Sequence, residues 1–160
     1  KQAAMRVYCS EGPLANNPLP SVADITSNGV KIGNGWYPYE IHDGRQLRWL
    51  NTDGEILTGP CDEGESPSLV IDASVGPGMD GRPCTIRLID LEGLTLASAI
   101  VNGSERFALE LPADLPRGTR LKLVVQGGGK TTPSDPRILN LMVTKCEWQA
   151  GKPLQATSLP

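Results

Sequence analysis

"TRLKLVVQ", residues 119–126, is the stretch whose reading decides the fold. Leu121, Leu123 and Val125 alternate with Arg120 and Lys122. A period of two belongs to a pleated strand with one buried and one solvated face, because successive side chains point to opposite sides. The same rhythm recurs in "CTIRLID" (84–90), where Ile86 and Leu88 oppose Thr85, Arg87 and Ile89. In "RQLRWL" (45–50) it sets Leu47 and Trp49 inward and Arg48 outward. "GEILTG" (54–59), "SLVID" (68–72), "LTLASAIV" (94–101), "RFALEL" (106–111) and "ILNLMVTKCEW" (138–148) complete the series.

These are about eight short strands separated by turn signals, with no 3.6-period helix and no internal repeat. A buried face on each strand calls for a second sheet. The expected fold is therefore all-β, an antiparallel β-sandwich of jelly-roll type, with an eight-stranded barrel as the nearest alternative.

At 160 residues the chain reads as one domain that buries a core without needing disulfides. Its 18 glycines and 14 prolines are spread along the sequence, as many strand-joining turns require. A net charge of -3 gives no support to a nucleic-acid or other polyanion partner. No apolar run approaches the ~20 residues that span a bilayer, and no charged-then-apolar leader stands at the start. Cytoplasmic localisation is the expectation. Residues 1–33, with their Pro- and Asn-rich portion from residue 10 onward, read as an extended lead-in. Residues 34–149 read as the sandwich and 150–160 as a C-terminal tail.

Cys9, Cys61, Cys84 and Cys146 form no close pair of the kind that builds cysteine metal sites. Cys84 and Cys146 fall in apolar strand-like runs and read as buried thiols in a reducing compartment, although an even count also permits two disulfides.

Most chemical-looking motifs dissolve on inspection. Gly129-Lys130-Thr131 resembles the end of a phosphate loop, but Val124 stands where that loop needs glycine. Pro133 and Pro136 also block the following helix. His42 is the only histidine, so no second imidazole completes a metal site, and it reads as a turn residue. The acidic "CDEGE" (61–65) lacks a calcium-loop spacing and reads as a solvated loop, and Asn102-Gly103-Ser104 reads first as a hairpin turn. Glu40, Glu110 and Asp135 are acids with no spacing that marks a hydrolase pair. No catalytic residue, metal or cofactor is expected.

"NGWYPYEIHDGRQLRW" (34–49) gathers two of the three tryptophans and two of the three tyrosines. Together with "SDPRILNLMVTKCEW" (134–148) it resembles the accessory β-sandwich domain attached to bacterial glycosyltransferases in proteins that build surface polysaccharides. That pattern runs GW(Y/H)xxE, then (F/L)RW, then DPRxLG before the last strand. It is matched here by Gly35, Trp36, Tyr37, Glu40, Arg48, Trp49, Asp135, Pro136, Arg137 and Leu139. Asn140 stands where the family usually has glycine. The resemblance spans residues 34–148 and implies a non-catalytic role beside glycan synthesis, with a glycosyltransferase domain in the same or a partner chain. It names no ligand.

Three readings compete for the aromatic segment. In the first, Trp49 joins the core and Glu40 pairs with Arg48 or Arg137 to tie the first strand to the last. In the second, Trp36, Tyr37 and Tyr39 form an exposed platform on which sugar C–H faces stack. Glu40, Arg48, Asp135 and Arg137 then bond the hydroxyls of an oligo- or polysaccharide. In the third the segment is an active site, for which no nucleophile or acid–base pair is found. A module that docks on a glycosyltransferase or on itself, without sugar, is the alternative to carbohydrate binding.

Overall fold

The structure, a computed structural model, describes residues 24–151. Eleven strands follow in order: β1 (Thr26–Ser27), β2 (Lys31–Ile32), β3 (Glu40–His42), β4 (Arg45–Leu50), β5 (Asp53–Leu57), β6 (Ser68–Val75), β7 (Cys84–Ile89), β8 (Thr95–Val101), β9 (Ser104–Glu110), β10 (Arg120–Gln126) and β11 (Leu141–Gln149). A 3₁₀ turn, Pro77–Met79, follows β6.

The last eight are the strands that alternation predicts. They pair as one long nested ribbon: β7 with β8, β6 with β9, β5 with β10 and β4 with β11, all antiparallel. Wrapping that ribbon over itself yields two sheets, β3-β4-β11-β6-β9 and β2-β5-β10-β7-β8. This is the jelly-roll arrangement, a sandwich rather than the alternative barrel.

The three remaining strands come from a region read as unstructured or as turn. β1 pairs in parallel with β11 and β2 pairs with β5, while Ile25 and Val30 are buried beside them. Residues 24–33 thus belong to the sandwich, and the expected boundary at residue 33 falls too late. Asn28, in the left-handed region at φ 64, turns the chain from one sheet to the other. Strands of two residues have no periodicity to read. The rest of the expected lead-in, residues 1–23 with Cys9, and the tail beyond residue 151 lie outside the described residues.

The core is built from the inward positions of both sheets, including Leu50, Ile56, Leu69, Ile71, Ile86, Leu88, Leu121, Leu123, Leu141 and Val143. Each such side chain contributes on the order of 1.5–3 kcal/mol by leaving water. β7 and β10 keep the phase that the sequence suggests. β4 inverts it. Leu50 and Arg48 face the same side as their partners Leu141 and Val143 in the core, so Leu47 and Trp49 lie on the outer face of the sheet. Trp49 is half-buried there and takes no part in the central core.

The charge of Arg48 is accommodated because the sheet edge is broken at that point. β4 covers β11 only over Leu141–Val143, and β1 takes up the same edge from Cys146. Arg48 fills the junction. Its Nη2 and Nε donate to the Asp24 carboxylate at 2.7 and 3.0 Å, and its Nη1 donates to the Tyr37 carbonyl at 3.0 Å. Burial pushes the Asp24 carboxyl upward, but hydrogen bonds from Arg48 and the Ile25 amide outweigh it and hold it below its ordinary value.

Cys84 and Cys146 are buried free thiols, pushed up by burial to about 11 and about 12. Cys61 is also free, its Sγ donating to the Glu65 carbonyl at 3.1 Å. No helix among the described residues is long and apolar enough to cross a membrane.

Candidate functional site

β3 and β4 form an edge hairpin closed by Asp43 and Gly44, both at positive φ (52 and 76), as a two-residue turn of primed type requires. Register places Glu40 opposite Leu47 and His42 opposite Arg45. These four residues and Trp49 therefore share the outer face. His42 is a strand residue with its side chain on that face, not a turn residue.

The chain returning from β10 to β11 brings Asp135, Arg137 and Leu139 over the same face. The result is an open hollow of ≈ 300 Å³. Its apolar lining is Leu47, Trp49, Leu139 and Met142, and its polar lining is Glu40, His42, Asp135 and Arg137. Met142 stands beside Trp49 across the β4–β11 pair. The indole edge is wedged against Gly76, where an added Cβ would lie 2.6 Å from Trp49 Cζ3. Close packing of this kind fixes the plane of the ring.

Arg137 organises the polar side. Its Nε and Nη2 donate to the two oxygens of Asp135, at 3.1 and 2.8 Å, and its Nη1 donates to Glu40 at 2.5 Å. The guanidinium also lies over the Tyr37 ring, 5.3 Å from its centre. Planar, forked donors meet carboxylates in fixed directions, so this cluster is oriented before any ligand arrives. His42 Nε2 lies 2.7 Å from the second Glu40 oxygen. The Arg137 side-chain and backbone hydrogen bonds drop the Asp135 carboxyl from 3.8 to about 2. Burial raises Glu40, but bonds from Arg137 and His42 outweigh it, and its carboxyl is held below its ordinary value. The expected tie from Glu40 to Arg137 is thus formed, while Arg48 pairs with Asp24 instead.

The residues singled out from sequence divide into two groups. Glu40, Asp135 and Arg137 converge on the hollow. Trp36, Tyr37, Tyr39 and Arg48 do not line it. Trp36 packs on the core rim above Gly54 and donates from Nε1 to the Glu55 carbonyl at 3.0 Å. The Tyr37 hydroxyl accepts from the Ile138 amide at 3.2 Å, so this ring props the loop and Arg137 rather than facing a ligand. Tyr39 is half-buried, and its hydroxyl has no hydrogen-bond partner among the described residues. The three rings expected to form a platform, Trp36, Tyr37 and Tyr39, thus lie outside this hollow. Trp49, assigned to the core from sequence, supplies the aromatic surface instead.

Leu47, Leu139, Met142 and His42 were not singled out as site residues. The signal for Leu47 is the phase of β4, which a six-residue strand with a salt-bridged arginine inside it does not reveal. The glycine-rich segment 127–129 is likewise occupied from within: Asn140 Oδ1 accepts from the Gly129 amide at 3.1 Å and its Nδ2 donates to the Asn51 carbonyl at 2.8 Å. Among the described residues, no group of three or more His, Cys, Asp or Glu side chains is arranged to hold a metal ion.

No family model matches the chain, and no curated protein matches it. Among solved structures, a carbohydrate-binding module described as "CBM4 structure and function" is similar at 11% identity and a TM-score of 0.44, over 78% of this chain and 77% of that one. The CBM22-1 xylan-binding domain of Paenibacillus barcinonensis Xyn10C is similar at 12% identity and a TM-score of 0.41, over 78% and 86%. An arabinose-bound α-L-arabinofuranosidase is similar at 10% identity and a TM-score of 0.43, over 76% of this chain and 23% of that one.

Proposed function

We propose that this β-sandwich is a non-catalytic module that binds carbohydrate through the hollow around Trp49, as an accessory to a glycan-assembling protein of glycosyltransferase type. One observation carries the binding reading: a fixed, half-buried indole lies beside a preoriented cluster of two carboxylates, a guanidinium and an imidazole. Sugar rings present an apolar C–H face and a rim of hydroxyls. An indole with charged hydrogen-bonding groups beside it is complementary to both.

The charge state of the acids supports a binding role over a hydrolytic one. A glycosidase needs one carboxyl held protonated near neutral pH. Glu40 and Asp135 are both shifted the other way, and both are engaged by Arg137. The association with a glycosyltransferase rests on the resemblance of the Gly35–Glu40, Arg48–Trp49 and Asp135–Leu139 segments.

Glycan-array retention checks the reading. Trp49→Ala should fold, because the ring lies outside the core cluster, yet lose about tenfold or more in affinity, roughly the loss of 1.4 kcal/mol. Trp36→Ala should instead lower thermal stability, and any folded fraction should bind as the parent does. A parent chain that is retained on no glycan and co-elutes with a glycosyltransferase domain would replace this reading with the docking one.

A further inference from the structure

The Trp49 hollow is not isolated on its sheet. Cross-strand register places Trp49 opposite Met142, Met142 opposite Ser74, and Ser74 opposite Ser104. These four residues form one row across β4, β11, β6 and β9. The row lies on the outer face, since the neighbours Leu50, Leu141 and Ala73 point into the core. At its far end is a second open hollow of ≈ 340 Å³, lined by Arg45, Asp72, Ser74, Ser104, Arg106 and Thr144. Arg45, which lines the second hollow, is the cross-strand partner of His42, which lines the first, on the same face.

We infer that the two hollows are the ends of one binding track, which takes a linear oligosaccharide running across the strands rather than a single terminal sugar. This rests on the carbohydrate reading of the Trp49 hollow and extends it. Three inter-strand steps of ~4.8 Å give a track of about 14 Å, longer than one sugar ring. Met142 of the first hollow and Ser74 of the second are direct cross-strand partners, so the two hollows adjoin along the row.

The chemistry of the far end suits hydroxyl groups. Arg106 Nη1 donates to both Asp72 oxygens at 3.2 Å, and its Nη2 lies 3.4 Å from Glu147. The guanidinium is thus held in place by two carboxylates and retains unused donors. Ser74 and Ser104 hydroxyls lie 2.7 Å apart, each with further bonding capacity. The irregularity in β11 between Val143 and Lys145 brings Thr144 Oγ1 to the Asp72 carbonyl at 3.3 Å, which sets another hydroxyl beside the row. One end stacks and the other hydrogen-bonds, so contacts accumulate with chain length.

Calorimetry with xylo-, cello- and manno-oligosaccharides, from disaccharide to hexasaccharide, tests the track. In the series that binds, affinity should rise about tenfold or more from the shortest to the longest member. Ser74→Arg, which blocks the middle of the row from a half-buried position on the outer face, should reduce hexasaccharide affinity to the disaccharide level and leave the disaccharide unchanged. Arg106→Ala should act in the same direction, with the parent's melting temperature confirming that both variants fold. Affinity independent of length, or hexasaccharide binding untouched by both variants while Trp49→Ala abolishes it, overturns the track and leaves the Trp49 site standing. Binding of no probe in any series overturns both.

Discussion

Trp49 shows how little separates a core residue from a ligand-facing one. Alternation in residues 45–50 is plain in the sequence, but alternation has two phases, and a one-residue change of phase exchanges the faces. Hydrophobicity favours the phase that buries Leu47 and Trp49. The structure takes the other because Arg48 finds Asp24 and the Tyr37 carbonyl at a break in the sheet edge. That partner lies 24 residues away, in a segment with no strand signal. Asn140 is a second residue whose role depends on distant partners. Its fully buried amide bonds Gly129, Asn51 and Gly127, and the glycines at 78 and 128 leave room for its oxygen. Asn140→Ala leaves these backbone groups unpaired and should cost about 1–3 kcal/mol in urea unfolding. Amide exchange in residues 127–129 should quicken more than in β10. A glycine loop unaffected by the change would show that Asn140 does not hold it.

Among the elements, the β3–β4 hairpin depends most on side chains. β3 is three residues long and pairs only with β4, and Arg137 fastens it from the other side through Glu40. The residue types of this clasp are legible in the sequence, which leaves Glu40 to pair with Arg48 or Arg137; the structure pairs it with Arg137. The bidentate partner Asp135 was not separable from a sugar-binding role, because two residues' spacing does not fix side-chain direction. The clasp has a pH signature. Asp135 falls from 3.8 to about 2 on folding, and Glu40 is also lowered. Groups with depressed folded values add stability that is complete above their unfolded values and lost as pH falls through the folded ones. Protection factors in β3 and in residues 132–139 should therefore fall between about pH 4 and pH 2, ahead of those in β7 and β10. In Arg137→Ala the same amides should exchange fast already at neutral pH, with the acid step much reduced. An acid step of unchanged size in that variant would place its origin elsewhere.

At the scale of the whole molecule, the eight strands of the ribbon were readable because each is long enough to show alternation and each ends at a turn signal. Their nesting was readable only as a class, since pairing partners far apart in the chain leave no local mark; within the ribbon β4 and β11 are the widest pair, with Val143 opposite Arg48. β10 sits at the centre of the second sheet, bonded to β5 on one side and β7 on the other, and presents Leu121 and Leu123 to the first sheet. Leu123 is fully buried, so Leu123→Ala should destabilise by about 2–5 kcal/mol, the transfer loss plus the cavity left behind. Ile100, 67% exposed on the edge strand β8, is apolar by type but not by position, and Ile100→Ser should change stability by no more than about 0.5 kcal/mol. Urea unfolding separates the two if the slope is shared and only the midpoint moves. The contrast turns on which face each strand buries. A Leu123→Ala cost below about 1 kcal/mol, or an Ile100→Ser cost above it, would place the second sheet's core face on the other side of its strands.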